Sequence, residues 1–165
     1  MKRASKTQKR IDFINEMKEV MLKHKYFSGT ISRKGIDENE IQRNLFLDLN
    51  DDLKEIIPKY FPNIKSEEAK EIVDKNFIFE GKLKSTLKNF PFFSVNHRAD
   101  AELEVDGLRI AFEIKKGADG NSIRSGIGQS VVYASQYDFT LYFFVDITPG
   151  GDIKSSVSGT GQKEN

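Results

Sequence analysis

The clearest pattern in the chain is an alternation of apolar and polar residues over positions 100–115, interrupted by Asp106-Gly107. Alternation with a period of two is typical of a strand that buries one face. Asp-Gly between two such runs is a strong signal for a two-residue type I′ turn. The pattern therefore predicts an antiparallel hairpin in which Val105 pairs with Leu108. In this register one face is wholly apolar and is predicted to be core: Ala101, Leu103, Val105, Leu108, Ile110, Phe112 and Ile114.

Helical patterns flank this hairpin on both sides in the sequence. Residues 37–57 place Ile41, Leu45 and Leu49 on one helical face, and the helix is predicted to end before Pro58. Shorter helices are predicted over 10–24, 66–75 and 123–134, and the apolar run 139–146 is predicted to be a strand. A helix between two strands is the crossover that a parallel pair requires. The predicted fold class is α/β, with a mixed central sheet flanked by helices.

The polar face of the hairpin places two carboxylates opposite each other. In the predicted register Asp100 pairs with Glu113, and opposed like charges destabilise a sheet. Folding gives no reason for this pair, whereas Mg²⁺ is commonly held by one or two carboxylates together with substrate phosphates. Lys115 follows on the same face, because side chains alternate along a strand. The alternative interpretation is a solvated polar face whose charges have no function.

These residues resemble the motif of the PD-(D/E)xK nuclease superfamily, which has the restriction-endonuclease-like fold. The matching positions are Asp100, then Glu113-Ile114-Lys115, followed by a helix that contains Gln129 and by an apolar strand. Ala99 stands where the family name has proline. The resemblance implies Mg²⁺- or Mn²⁺-dependent hydrolysis of DNA phosphodiester bonds, with RNA not excluded as the substrate. Many members of the superfamily act as homodimers, so a homodimer is one state that it implies.

The resemblance also implies a role for each matching residue. Asp100 and Glu113 would bind the metal ion with the Ile114 carbonyl, Lys115 would position or activate water, and Gln129 would orient the water, a phosphate or Lys115. A third acidic position often lies on a helix before the sheet. Glu38 is the candidate, because it shares the face of the apolar stripe in 37–57, whereas Glu40 points away. The alternative for Glu38 is a helix-start acid that interacts with the helix dipole.

Charge is unevenly distributed, although the net charge is only +1. Residues 1–35 contain ten Lys or Arg against three acids, and residues 36–80 contain six against twelve. A basic segment fits attraction to a phosphate backbone, and it also fits solubility or docking onto the acidic part of the same chain. Near the motif, Arg98, Lys116 and Arg124 are predicted to contact phosphates, the alternative being solvated surface.

Length and composition predict one domain with appended elements: a basic N-terminal helical segment (1–35), a nuclease-like core (36–148) and a disordered tail (149–165). The chain has no cysteine, which excludes disulfides, thiolate zinc sites and a cysteine nucleophile. It shows no signal peptide and no apolar run that could span a bilayer. These features predict a cytoplasmic protein without membrane contact. The alternative function is a non-catalytic nucleic-acid-binding or interaction module that retains the nuclease fold.

Overall fold

The computed structural model describes residues 6–28, 35–82 and 87–147, so the predicted tail at 149–165 lies outside the described residues. The described helices are α1 (Lys6–Lys23), α2 (Lys25–Ser28), α3 (Glu38–Tyr60), α4 (Ser66–Asn76) and α5 (Gly120–Tyr133). The described strands are β1 (Phe77–Phe79), β2 (Phe90–Phe92), β3 (Val95–His97), β4 (Ala101–Val105), β5 (Leu108–Gly117) and β6 (Phe139–Asp146).

Four strands form a mixed sheet in the order β1-β4-β5-β6. β1 pairs with β4 and β4 with β5 in antiparallel fashion, whereas β6 runs parallel to β5 after the crossover through α5. The β4–β5 register pairs Val105 with Leu108 and Ala101 with Phe112, as the alternation predicted. Asp106 and Gly107 both have positive φ, 49° and 68°, as a type I′ turn requires. The predicted α/β class with a mixed, helix-flanked sheet is confirmed.

The two faces of the sheet have different partners. The apolar face of β4 and β5 is fully buried in the main hydrophobic core, which α1, α3 and α4 complete; α1 contributes Phe13, Met17 and Met21 to it. The opposite face is covered by α5 and the turn that follows it, where Tyr133 and Tyr137 pack with Ala99 and Ala111 in a smaller cluster. On this second face Glu113 is buried and Lys115 is partly buried, whereas Arg109, near the turn, is exposed.

A second, two-stranded sheet precedes β4. β2 and β3 form a short antiparallel hairpin in which Phe90 pairs with His97 and Phe92 with Val95. The turn is made by Phe93 and Ser94, both with positive φ. At the base of the hairpin, the Phe90 ring lies 6.1 Å from the Tyr133 ring and joins the smaller cluster. The hairpin is therefore attached to the face of the sheet that α5 covers.

Helix α3 passes through Pro58, so the prediction that it ends before this residue was wrong. Proline removes one helical hydrogen bond, but the last turn is held by its neighbours. Ile56, Ile57 and Phe61 are buried in the core, and the Phe61 N–H donates to the Ile57 carbonyl at 3.0 Å. Burial of these side chains outweighs the local cost of the proline.

No helix among residues 6–28, 35–82 and 87–147 is both long enough and apolar enough to cross a membrane.

Candidate active site

Strand β5 places Glu113 and Lys115 on the face that α5 covers. Glu113 is almost completely buried, with 1% of its surface exposed. The Tyr133 hydroxyl donates to Glu113 Oε2 at 3.0 Å, and Lys115 Nζ lies 3.0 Å from Glu113 Oε1. The two β5 residues are neighbours because they are two positions apart on one face of a strand. A buried carboxylate and a partly buried ammonium thus form the centre of the site.

Asp100 lies one residue before β4, where the regular ladder ends. Its N–H donates to the Phe112 carbonyl at 3.1 Å, and its carboxylate accepts a hydrogen bond from the Ile114 N–H at 2.8 Å. The Asp100 side chain is therefore held against β5 beside Glu113 and Ile114. The regular ladder ends at the Ala101–Phe112 pair, so the predicted Asp100–Glu113 pair is not part of it. Asp100 is still close enough to Glu113 for the Glu113 charge to raise its pKa.

Glu38 reaches the same place from the opposite layer. It is the first residue of α3, and its Oε2 accepts the Lys116 N–H at 2.7 Å while its Oε1 lies 3.5 Å from Lys115 Nζ. The cap of α3 is provided by Asp37, whose carboxylate accepts the Asn39 N–H. Glu40 is exposed. The Glu38 carboxylate is therefore directed to the sheet, and capping of the helix does not require it.

Burial makes Asp100 and Glu113 hard to ionise, and repulsion from a neighbouring carboxylate adds to the effect at each. Desolvation, reinforced by the charge of Glu113, raises the pKa of Asp100 to about 7. Desolvation also raises the pKa of Glu113, although hydrogen bonds from Lys115 and Tyr133 favour its charged form. Burial alone would lower the pKa of Lys115. The hydrogen bond to Glu113 and the negative charges of Glu113, Asp100 and Glu38 outweigh this effect, so the pKa of Lys115 is raised. The lysine is therefore firmly cationic.

Two polar residues at the site were missed by the sequence analysis. Tyr133 holds Glu113, and the amide of Gln42 donates to the Ile114 carbonyl at 3.3 Å. Each lies one helical turn after a predicted site residue: Gln42 follows Glu38 by four positions, and Tyr133 follows Gln129 by four. Since residues four apart share a helical face, this spacing was the available signal.

Gln129 lies on α5 one turn before Tyr133. Its Oε1 is buried, and no donor among the described residues hydrogen-bonds to it. A buried acceptor without a donor is uncommon in folded proteins, and an ordered water or a ligand is one way to satisfy it. The position on the same helical face as Tyr133 directs Gln129 to the side of the sheet that holds Glu113.

The three predicted phosphate contacts have different surroundings. Arg98 is exposed and pairs with Glu80 at 3.2 Å, and its carbonyl accepts the Tyr133 hydroxyl. Arg124 is exposed on α5 and donates to the Asn121 side chain. Lys116 faces the opposite side of the sheet from Lys115, and its ammonium donates to the Ile36 carbonyl. Lys116 is therefore tied to the segment that precedes α3, whereas both arginines keep exposed guanidinium groups.

A small cavity opens beside Asp100. Its volume is about 160 Å³, and its walls are Asn39, Gln42, Arg43, Phe46, Glu80, Gly81 and Asp100. Water needs only about 10–15 Å³ of such space, so the cavity has room for several water molecules or for a phosphate group. Larger cavities of about 490 and 290 Å³ lie elsewhere on the surface and contain none of the predicted site residues.

The donor set fits a hard divalent cation that keeps part of its hydration shell. Asp100 and Glu113 supply carboxylate oxygens, the Ile114 carbonyl directly follows Glu113 on β5, and Mg²⁺ is usually bound by one or two carboxylates. Within the described part of the chain, no group of three or more His, Cys, Asp or Glu side chains could hold a metal ion by itself. The remaining ligands would therefore be water and substrate.

Comparison of the chain with protein-family models, with curated proteins and with solved structures gives no match. The geometry and charges of the site are therefore what indicates a function for this chain.

Proposed function

We propose that this protein is a Mg²⁺- or Mn²⁺-dependent nuclease that hydrolyses phosphodiester bonds in DNA, built on a restriction-endonuclease-like fold. The observation that supports this most directly is that Glu38 and Glu113 lie 3.5 and 3.0 Å from the Lys115 ammonium, with Asp100 near enough for its charge to raise the pKa of Lys115. These carboxylates come from three different elements: the start of α3, the residue before β4, and β5.

The charge balance of this cluster favours a site over a structural role. Three ionised carboxylates and one lysine have a net charge of −2, and burial disfavours the ionised state of Asp100 and Glu113. Buried charges that exist only for stability are normally paired one to one. A divalent cation has the charge that would balance this cluster, and its binding would stabilise both carboxylates in their ionised form.

Each residue then has a chemical role. Asp100 and Glu113 would hold the cation with the Ile114 carbonyl, and Glu38 would act directly or through water. When bound, the cation would offset charge on the phosphate oxygens. The Lys115 ammonium would donate to the attacking water or to a phosphate oxygen, where it offsets developing charge. The unpaired Oε1 of Gln129 would accept a hydrogen bond from that water.

The surrounding contacts would keep these groups in position. The Tyr133 hydroxyl shares its one proton between Glu113 and the Arg98 carbonyl, so it links β5 to the segment before β4. Gln42 holds the Ile114 carbonyl from α3. Arg98 and Arg124 remain exposed and would contact phosphates on the substrate backbone. We propose DNA as the substrate, and RNA is included as a competing substrate in the test below.

A non-catalytic role is favoured by one observation. Asp100, Glu38 and Glu113 each already accept a hydrogen bond from the protein, through the Ile114 N–H, the Lys116 N–H and the Tyr133 hydroxyl. A cluster in which each carboxylate already accepts one hydrogen bond from the protein would serve a nucleic-acid-binding or interaction module that retains the fold. Such a module would bind DNA in a salt-dependent manner without cutting it.

The deciding experiment measures cleavage and metal binding together. The protein is incubated with supercoiled, linear, branched and single-stranded DNA and with RNA, in Mg²⁺, Mn²⁺ or EDTA. We expect metal-dependent cleavage of DNA that is lost in Glu113→Gln and retained in Glu104→Gln, an exposed carboxylate on the neighbouring strand. Calorimetric titration should show Mn²⁺ binding that only the Glu113 variant loses. DNA binding without cleavage and without metal binding by the wild type would favour the non-catalytic module.

A further inference from the structure

The tip of the β2–β3 hairpin exposes an aromatic ring in an unfavourable backbone conformation. Phe93 is 88% exposed and has a φ of 48°, and Ser94 follows with a φ of 63°. Turns of this kind prefer Asn, Asp and Gly, because a bulky side chain in the left-handed region is strained. Solvation favours a polar residue here as well. The Phe93 ring contacts the Phe92 ring edge to face, with centroids 4.6 Å apart, but this contact leaves Phe93 almost fully exposed. Backbone preference and solubility therefore both disfavour a phenylalanine at this position.

The base of this hairpin is attached to the candidate active site. The Phe90 ring lies 6.1 Å from the Tyr133 ring, and the Tyr133 hydroxyl bonds both Glu113 and the carbonyl of Arg98, the residue that follows β3. Phe93 is three positions after Phe90 along the chain, a reach of about 10 Å for an extended strand. The exposed ring therefore lies about the length of two or three stacked nucleotides beyond Phe90, the residue whose ring packs near Tyr133.

The segment that contains the hairpin has the charge expected for contact with a polyanion. Residues 81–99 include four Lys or Arg and no Asp or Glu, between Glu80 and Asp100 on either side. Lys88 and Arg98 are exposed on the two chains that lead into and out of the hairpin. Aromatic rings among basic residues are typical of surfaces that bind single-stranded nucleic acid, where bases stack on the rings.

We propose that Phe93 is a wedge that stacks on an unpaired nucleobase of the DNA, so that the substrate class is DNA with a single-stranded or branched segment beside the scissile bond. This inference rests on the proposed function and specifies its substrate. Bases in a continuous duplex are already stacked, and exposing one costs a few kcal/mol. Strands that are already open avoid this cost, so a stacking residue favours them.

Binding in EDTA tests the wedge separately from hydrolysis. Affinities are measured by fluorescence anisotropy for a single strand, a flapped duplex and a blunt duplex of one sequence, over a range of salt concentrations. We expect the wild type to prefer the single strand and the flap. Phe93→Ala should weaken binding to these two by about tenfold, with little change for the blunt duplex. The salt slope should stay constant, because no phosphate contact is lost.

Three further variants separate the ring from the turn. Phe93→Asn places a residue that tolerates positive φ at the tip, so it should keep or raise the melting temperature and still lose affinity as Phe93→Ala does. Phe93→Trp should retain the preference for open strands. Ser94→Gly should also retain it, because it relieves the second strained residue and leaves the ring in place.

Several results would overturn the wedge. It fails if Phe93→Ala binds all three DNAs like the wild type, if the wild type binds no DNA or has no preference for open strands, or if Phe93→Asn keeps full affinity. It also fails if the substitution instead abolishes self-association in sedimentation experiments, which would make the tip a contact between copies. If the wild type does not cleave DNA but Phe93→Ala still weakens binding to open strands, the proposed nuclease activity is rejected and the proposed role of Phe93 is retained.

Discussion

The two hairpins have nearly the same turn geometry but opposite turn chemistry. In β4–β5 the turn residues Asp106 and Gly107 have φ values of 49° and 68°, and in β2–β3 Phe93 and Ser94 have 48° and 63°. Gly and Asp adopt positive φ at little cost, whereas an aromatic residue is strained there. The same backbone shape is therefore relaxed in one hairpin and strained in the other.

The hairpins also differ in where their unfavourable features lie. The β4–β5 hairpin has a relaxed turn and a buried apolar face, and its unfavourable charges are at the opposite end, at Asp100 and Glu113. The β2–β3 hairpin has a well-packed base at Phe90 and a strained, exposed tip. Strained or repulsive groups that the surrounding structure holds in place are a reason to suspect function. The unfavourable residues of the two hairpins, Asp100 with Glu113 in one and Phe93 in the other, are the residues that we propose act on DNA.

The largest effect on stability is expected from removing a buried charge at the carboxylate end, which is the end of the β4–β5 hairpin that holds Asp100 and Glu113. The pKa of Asp100 is about 7 in the folded protein against 3.8 ordinarily. Between these pH values the folded state holds a proton that the unfolded state releases, so wild-type stability falls as pH rises. Glu113 adds to this in the same direction. In EDTA, Asp100→Asn should therefore stabilise the protein above pH 7 by about 2–4 kcal/mol.

Urea denaturation at pH 4, 5.5 and 8 measures this difference. The stabilisation should be small at pH 4 and should grow through pH 7. Asp106→Asn is the matched control in the turn of the same hairpin, where the carboxylate is half exposed and pairs with Lys6. If Asp100→Asn stabilises the protein equally at all three pH values, the loss of stability at high pH does not come from ionisation of Asp100.

The next effect tests whether the carboxylate end is catalytic. Lys115→Ala should lower the rate at saturating DNA by about 100-fold or more, because it removes a donor aimed at developing charge. Affinity should change far less, since one phosphate contact is a small share of binding. Lys88→Ala should do the opposite, weakening affinity and reducing the salt slope at an unchanged saturated rate. A Lys115 variant with a wild-type rate would remove this lysine from the reaction.

A moderate effect is expected from breaking the relaxed turn. Gly107 has positive φ, and an added Cβ there would meet no other atom within 4 Å. The cost of Gly107→Ala is therefore backbone strain alone, and we expect a loss of about 1 kcal/mol in the free energy of unfolding. Chemical denaturation measures it. A neutral substitution would mean that the turn is not under the constraint that its φ implies.

The smallest effect is expected from relaxing the strained turn. Ser94→Gly should raise the free energy of unfolding by about 0.5 kcal/mol or less, because relief of strain at positive φ is partly offset by the greater freedom of glycine in the unfolded chain. Measuring Ser94→Gly and Gly107→Ala in one denaturation series gives the difference in backbone strain between the two turns directly. If Ser94→Gly destabilises the protein, the two turns are not equivalent in geometry.

Local chemistry determined the β4–β5 hairpin, and the sequence was enough to predict it. Alternation defines the faces, Asp106-Gly107 defines the turn, and the two together determine the register and the proximity of Asp100 to Glu113. The apolar stripe of α3 likewise predicted that Glu38, and not Glu40, would face the sheet. These inferences succeeded because each depends on neighbours within a few residues or across one tight turn.

Tertiary packing decided the remainder. Tyr133 reaches Glu113, and Gln42 reaches Ile114, only because α5 and α3 lie on opposite faces of β5. The passage of α3 through Pro58 depends on the core that buries its last turn. The strained turn at Phe93 is likewise contrary to local preference, in a hairpin whose base packs against Tyr133. Sequence patterns report local preferences, whereas contacts between distant elements depend on how the helices pack around the sheet.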